Sequence, residues 1–219
     1  MSEPARITVI RSTRHDPSRA TVRVSGQGVV ATLPRQRIAE LALAVDMPWT
    51  DELAARVVAA ASYDKALRQA MHRLARRGYS RADMDRKLRQ LDYSADVRQQ
   101  VLDRLGELGY LDDEALGRAL VRELQARKPA GPHLLRQKLY QKGLDRELID
   151  RLVAENRDTQ DQASDAAHLL RRRMPSMARL DPATRKRRLY SLLARRGFDT
   201  DAIQAAFDTV ASQLNDTTD

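Results

Sequence analysis

Cysteine is absent from this 219-residue chain, so disulfides, thiolate metal sites and cysteine nucleophiles are excluded, and the composition fits a reducing compartment. Aromatic residues make up only 4%, so Leu, Val and Ala must supply most of the buried surface. Long apolar runs are also missing. The most apolar stretch, Ala54 to Ala61, is broken by Arg56, and the N-terminus lacks a signal-like core, so neither a membrane span nor an export signal is expected and the predicted location is cytoplasmic. The four histidines (His15, His72, His133, His168) are scattered, with no pair at metal-ligand spacing. Gly26-Gln27-Gly28 is not followed by Gly-Lys-Ser/Thr and lies between two β-branched runs, which excludes a phosphate loop. No Ser/His/Asp constellation occurs. The chain is therefore expected to be a non-enzyme without catalytic residues, metal or cofactor.

Charge is abundant. Charged residues make up 32%, both signs are interspersed and the apolar residues are periodic, which predicts a folded, heavily solvated helical protein rather than a disordered one. The net charge of +9 favours an anionic partner, with nucleic acid first. Residues 1–61 carry 8 basic and 6 acidic side chains, so the excess is not concentrated in an arm.

From about residue 62 a three-helix unit recurs three times. Its landmark is an anchor leucine, then a break and an apolar residue, then a capped helix. The copies read Leu88 to Asp92-Tyr93-Ser94, Leu139 to Gly143-Leu144-Asp145, and Leu193 to Gly197-Phe198-Asp199, with anchors 51 and 54 residues apart. An acidic residue follows each break (Asp96, Glu147, Asp201), and then an apolar pair (Val101-Leu102, Leu152-Val153, Ala206-Phe207). Ser80 and Ser94 are expected helix caps, and Pro132 and Pro182 stand where first turns tolerate a missing N–H. Met84, Leu88 and Leu91 are expected to face inward on one helix, and Val97, Val101, Leu105 and Leu108 on the next. A single small unit cannot bury its apolar face alone, so repetition predicts stacked copies in an elongated arrangement.

The helices also segregate charge. The middle helices carry Arg81, Arg86, Lys87 and Arg89; Arg136, Lys138 and Lys142; and Arg185, Lys186, Arg187, Arg188, Arg195 and Arg196, against Asp83 and Asp85 alone. The third helices are net acidic through residues such as Asp103, Glu107, Asp150 and Asp208.

The first sixty residues differ in character. Ile7, Val9 and Arg11 alternate with Thr8 and Ile10, Thr21 to Val24 alternates again, and Val29 to Leu33 follows a Gly-containing turn. This predicts a hairpin with the Ile7 segment as a third strand. Residues 35–45 read as a helix with Ile38, Leu41, Leu43 and Val45 as apolar positions, and Thr50 as the cap of a further helix, with Trp49 as a core anchor. The expected organisation is a β-strand-plus-helix module over 1–61, three-helix repeats over 62–112, 113–158 and 159–213, and a frayed tail over 214–219. The fold class is mainly α.

The run Leu108-Gly109-Tyr110-Leu111-Asp112-Asp113, followed by Ala130-Gly131-Pro132-His133-Leu134-Leu135-Arg136-Gln137-Lys138-Leu139-Tyr140-Gln141-Lys142-Gly143-Leu144, resembles the core of the RecX regulatory proteins. The resemblance covers nearly the whole chain and is strongest from Leu105 to Leu152. Where that family's helix after the paired aspartates usually carries an aromatic and then a small residue, this chain has Leu116 and Gly117, with Leu120 at a second aromatic position, which marks a divergent member. The resemblance implies tandem three-helix repeats. It also implies a monomeric regulator that binds the RecA recombinase on its DNA filament, lodges in or along the filament groove and suppresses recombinase, ATPase and coprotease activity, so modulating DNA repair and the SOS response. Some members of that family also bind DNA directly.

The densest cations are Arg171-Arg172-Arg173 and Arg185 to Arg188. Two readings stand for them: contact with phosphates or an acidic partner surface, and complementing of helix C-terminal dipoles, which suits Arg171 to Arg173 and Arg76-Arg77. The candidate partner- or DNA-contacting set is the middle-helix cations together with Arg171, Arg172 and Arg173. Asp112-Asp113 precede a helix and are expected as caps rather than an acid/base pair. Tyr79, Tyr93, Tyr110 and Phe198 recur at helix junctions, where packing explains them better than base stacking. The rival function is a helical-repeat DNA-binding protein, single- or double-strand, without a recombinase partner.

Overall fold

A computed structural model describes residues 4–159 and 161–216 of the chain. Three antiparallel strands, β1 (Ile7–Ser12), β2 (Arg19–Val24) and β3 (Gly28–Pro34), form a sheet in the order β1-β2-β3. The alternation expected for β1 changes phase, because a bulge between Ile7 and Val9 sets Val9 opposite Arg23 and Ile10 opposite Val22. Ile7 is thus fully buried and Ile10 packs on the core, while Val9 is turned out to solvent. The segment after the next helix covers the start of β1, through Ile7 N–H to Met47 O (3.0 Å) and Trp49 N–H to Ala5 O (2.7 Å). Trp49 is partly buried against this core.

Helix α1 (Arg35–Glu40) is shorter than the expected 35–45. Ala42 takes φ of 52°, and Leu43 N–H donates to Ile38 O (3.0 Å), so the chain turns there and buries Leu43 beside Ile38. Val45 falls beyond the turn and is exposed. Helix α2 (Asp51–Leu74) is capped by Thr50, whose Oγ1 accepts from Leu53 N–H, and runs across residues 61 and 62 without a break. Leu53 and Val57 close the sheet core; Ala66 and Ala70 are buried further along the same helix. Arg19 on β2 reaches Asp64 of α2 at 2.6 Å and also donates to Thr32 O, tying the helix to the sheet.

The remaining helices are α3 (Arg81–Arg89), α4 (Ala95–Glu107), α5 (Asp113–Arg127), α6 (Pro132–Gln141), α7 (Arg146–Thr159), α8 (Gln162–Arg173), α9 (Pro182–Arg195) and α10 (Thr200–Asp216), with a 3₁₀ turn over Met174–Met177. They form three tandem three-helix copies, and the last two have their own cores. Leu135, Leu139, Leu144, Ile149, Leu152 and Val153 fill one; Leu170, Leu189, Leu193, Phe198, Ile203 and Val210 fill the other. Gly117 of α5 is buried where a Cβ would meet the Leu152 side chain, so this glycine lets α5 lie close against α7. The expected tail reaches residues 217–219, which lie outside the described residues; α10 continues to Asp216. By contact the chain divides into Met1–Gly78 with Met84–Leu111, and Tyr79–Asp83 with Asp112–Asp219.

The break after each anchor leucine is one backbone motif. Asp92, Gly143 and Gly197 have φ of 60°, 74° and 81°. The amide after each donates back to the anchor carbonyl: Tyr93 to Leu88 (3.4 Å), Leu144 to Leu139 (3.4 Å) and Phe198 to Leu193 (3.3 Å). The left-handed residue itself donates to the residue after the anchor, as Gly143 does to Tyr140 O at 2.8 Å. This Schellman arrangement satisfies otherwise orphan carbonyls and lays the following apolar side chain on the anchor. It also corrects two expected core positions. Leu91 and Leu108 stand immediately before left-handed residues, Asp92 and Gly109, and are turned outward, 38% and 46% exposed.

The same turns also hold helix ends together within the second unit. Ser80, fully buried, accepts from Asp83 N–H (3.0 Å) as the cap of α3 and donates its hydroxyl to Lys142 O at the end of α6. Arg81 N–H donates to Asp113 Oδ1 (2.9 Å), so of the paired aspartates Asp112 caps α5, accepting from Ala115 N–H, while Asp113 serves α3. Burial pushes the Asp113 carboxyl up despite that hydrogen bond. At the next junction Gly131 N–H donates to Arg196 O (2.9 Å) and His133 N–H to Gly197 O (3.1 Å). In both places a helix C-terminus supplies carbonyls to a helix N-terminus that has spare N–H groups or a capping hydroxyl.

Two substitutions test this motif in opposite directions. Asp92→Gly relieves a left-handed aspartate at a helix C-terminus and should raise stability by about 0.5–1 kcal/mol. Gly197→Ala adds left-handed strain and a Cβ that overlaps the Leu134 backbone, and should lower stability by about 3 kcal/mol. Denaturant midpoints of the two variants, followed by helical circular dichroism, check both signs.

Candidate polyanion-binding surface

The core of the third copy fixes the rotation of α9. Asp181 caps the helix by accepting from Thr184 N–H (2.9 Å), a bond that holds its carboxyl below the usual carboxylate range, and Pro182 follows in the first turn. Leu189 and Leu193 then point into the core beside Leu170 of α8. With these inward, Arg188, Leu192 and Arg195 face the end of α8, where Arg172 and Arg173 project from the last turn.

The result is a groove made of two adjoining pockets of about 330 Å³ each, sharing Arg173 and Leu192. Leu169 and Leu192 floor the first, with Arg172, Lys128 and Arg196 around it. Met177 and Leu192 floor the second, with Arg187, Arg188 and Arg195 around it. No carboxylate lines either pocket. Like charges gathered over apolar walls focus a positive potential and repel one another, so the site is arranged for an anion.

Arg196 differs from the rest. Its guanidinium is half-buried and donates to the Pro129 carbonyl (3.0 Å from Nε) and to Lys128 O, and burial lowers its pKa. It holds the loop before α6 and so supports the groove wall, a structural role in addition to the surface role expected for it.

The other expected cations are placed as follows. Arg171 Nε donates to Gln213 Oε1 (3.1 Å), and Lys186 lies over the Phe207 ring at 5.9 Å. Arg185, Arg187, Arg188, Arg195, Arg172 and Arg173 make no ion pair among the described residues. The first two copies are different. Arg89 pairs with Asp85 (2.5 Å), which also takes Arg98 (2.7 Å); burial works against ionisation of Asp85, but these arginine hydrogen bonds outweigh it and hold its carboxyl low. Arg136 pairs with Asp150 (3.3 Å), while Lys87 and Lys138 donate to Gln90 and Gln141. Arg81 and Arg86 make further interactions of their own, and Lys142 contributes its carbonyl to the Ser80 junction. The structure thus gathers Arg172, Arg173, Arg187, Arg188, Arg195 and Arg196 around one groove, and none of the cations expected of the earlier copies lines it.

Sequence reasoning missed Lys128 and the apolar floor. Lys128 sits in the Lys-Pro-Ala-Gly break, where no helical charge period marks it. Of the junction aromatics, Phe198 is core and Tyr110 is half-exposed, while Tyr93 Oη donates to Gln69 (3.3 Å). Tyr140, on α6, is the most exposed aromatic at 76%. Among the described residues no group of three or more His, Asp or Glu could hold a metal ion, and no helix is long and apolar enough to cross a membrane.

These features define a tandem three-helix-repeat protein whose last copy carries an arginine-lined groove. Comparison with known proteins specifies the class. Family models describing the first, second and third three-helix domains of RecX match residues 66–105, 112–152 and 160–207. Regulatory protein RecX of Chlorobium phaeobacteroides strain BS1 is 32% identical over 146 residues, covering 67% of this chain and 93% of that protein. Its counterpart in Xanthomonas axonopodis pv. citri is 35% identical over 140 residues, covering 64% and 84%. The chain belongs to the RecX family of regulatory proteins. A crystal structure of regulatory protein RecX superimposes with a TM-score of 0.76 at 20% identity, over 93% of this chain and 99% of that one. RecX from Lactobacillus salivarius gives 0.62 at 19% identity, over 68% and 97%. Both likenesses concern the fold.

Removing the two kinds of arginine should have different effects on stability. Arg196→Ala removes the donor to the half-buried Pro129 carbonyl and to Lys128 O and should lower stability by about 1–2 kcal/mol. Arg187→Ala with Arg188→Ala relieves repulsion and should leave stability unchanged or slightly higher at low salt. Equal losses in urea denaturation would contradict this division.

Proposed function

We propose that this protein binds the RecA recombinase on its DNA filament and restrains its recombinase, ATPase and coprotease activity, acting as a cytoplasmic monomer. Membership of a family of regulatory proteins supports a regulatory role. The observation that carries the physical part of the proposal is the unpaired arginine cluster of the third copy. A protein that pairs Arg89 and Arg136 with aspartates in its first two copies, yet leaves Arg172, Arg173, Arg187, Arg188 and Arg195 of the third without an ion pair among the described residues, has a surface suited to an anionic partner. A filament offers such surfaces repeatedly, as DNA phosphates and as acidic protein faces. Several weak contacts distributed along tandem copies raise affinity for an array over affinity for a free subunit.

The unpaired arginines also favour a second reading, direct DNA binding without RecA. That reading predicts tight duplex or single-strand binding whose logarithm falls with log salt by about 0.9 per phosphate neutralised in a duplex and about 0.7 in a single strand. Parallel salt titrations against duplex, single strand and RecA filament separate the two.

The direct test is DNA-stimulated ATP hydrolysis by RecA. Wild-type protein should inhibit it. A variant with Arg172, Arg173, Arg187, Arg188 and Arg195 changed to Gln should be at least about tenfold weaker, a loss of about 1.4 kcal/mol of binding. Equal potency of the two would remove the groove from the mechanism.

A further inference from the structure

We propose that the groove between α8 and α9 takes an acidic peptide segment with interspersed apolar side chains, rather than a phosphodiester backbone. The proposal deepens the functional reading above, on which it rests for the source of the segment, a protein partner.

The first ground is charge. Arg172, Arg173, Arg187, Arg188 and Arg195 converge with no carboxylate in the lining and no ion pair among the described residues. In the earlier copies Arg89 and Arg136 meet Asp85 and Asp150 from within the chain. A carboxylate from outside would do for the third copy what those two aspartates do for the others. Guanidinium groups suit this role, because their planar fork matches a carboxylate bidentately.

The second ground is the floor, which decides between anions. Leu169, Leu192 and Met177 are aliphatic, no aromatic ring lines either pocket, and Ser191 is the one hydroxyl in the lining. Single-stranded bases bind by stacking on aromatic or guanidinium planes over a charged groove, and duplex phosphates need only a charged surface. A sugar–phosphate chain laid on the arginine rim would leave the apolar floor in water. Leucine, isoleucine or phenylalanine side chains would fill it, with flanking glutamates or aspartates at the rim. The shared residues Arg173 and Leu192 make the two pockets one channel, so a continuous segment can occupy both.

Fluorescence anisotropy on the full-length protein tests this with three labelled probes of equal charge: a peptide of glutamates interspersed with leucines, an oligoglutamate and an oligothymidylate. The Glu–Leu peptide should bind about tenfold tighter than oligoglutamate, the gain expected from one or two buried apolar groups. Leu192→Asn should abolish that difference, and Arg173→Gln should weaken both peptides. Arg173 is exposed on the rim, so its variant reports on binding even where Leu192→Asn perturbs folding. Oligothymidylate binding as tightly as the Glu–Leu peptide, or no gain from the leucines, would overturn the proposal in favour of a phosphate site. No RecA enters this experiment. A failure to inhibit RecA therefore sinks the functional reading, and a failure of the leucines to add affinity sinks this inference.

Discussion

Much of the second unit depends on how its middle helices end. A helix leaves its last carbonyls without partners, and the left-handed residue after the anchor leucine recovers two of them while reversing the chain. In this protein those turns have a second task. Lys142, Arg196 and Gly197 present further carbonyls to Ser80, Gly131 and His133 at the start of the preceding middle helix. Gly131 and Gly197 approach so closely that a Cβ on either would overlap the other side. Opposed dipole ends, two glycines and one buried serine thus set the spacing of these helix ends within the second unit, and leucine packing within each copy fixes the faces.

That spacing has an electrostatic consequence. Because Leu189 and Leu193 point inward, Arg187 and Arg188 before them and Arg195 after them line the groove toward the end of α8. In the first two copies Asp85 and Asp150 pair with Arg89 and Arg136, whereas no carboxylate lines the groove of the third. Clustered cations destabilise a fold unless something external neutralises them. Arg196 belongs to the same run of sequence yet has the opposite role, since its charge is spent on backbone carbonyls and holds the groove wall.

Much of the architecture was legible in the sequence. Ser80, Ser94, Asp112, Pro132 and Pro182 mark helix starts where they were expected, and Gly143 and Gly197 mark ends. These signals are local, acting within one helical turn. Features that depend on tertiary neighbours were not legible. Ala42 ends α1 without a glycine, because burying Leu43 against Ile38 outweighs the left-handed strain. The bulge that turns Val9 out is set by pairing with β2. Charge segregation along the helices was visible, but not which arginines would find carboxylates: Arg136 pairs with Asp150 on another helix, whereas Arg187 and Arg188 find none among the described residues. The floor of the groove was invisible for the same reason, since Leu192 reads in sequence as one more core position.

The proposed function makes the arginine-lined groove of the third copy the surface offered to the partner. Site-specific photocross-linking tests it most directly. A cross-linker at Ser191, inside the groove, should form adducts with assembled RecA–DNA filament, and one at Val45, exposed beside the sheet, should not. Adducts from Val45 alone, or equal yields from both positions, would contradict the account.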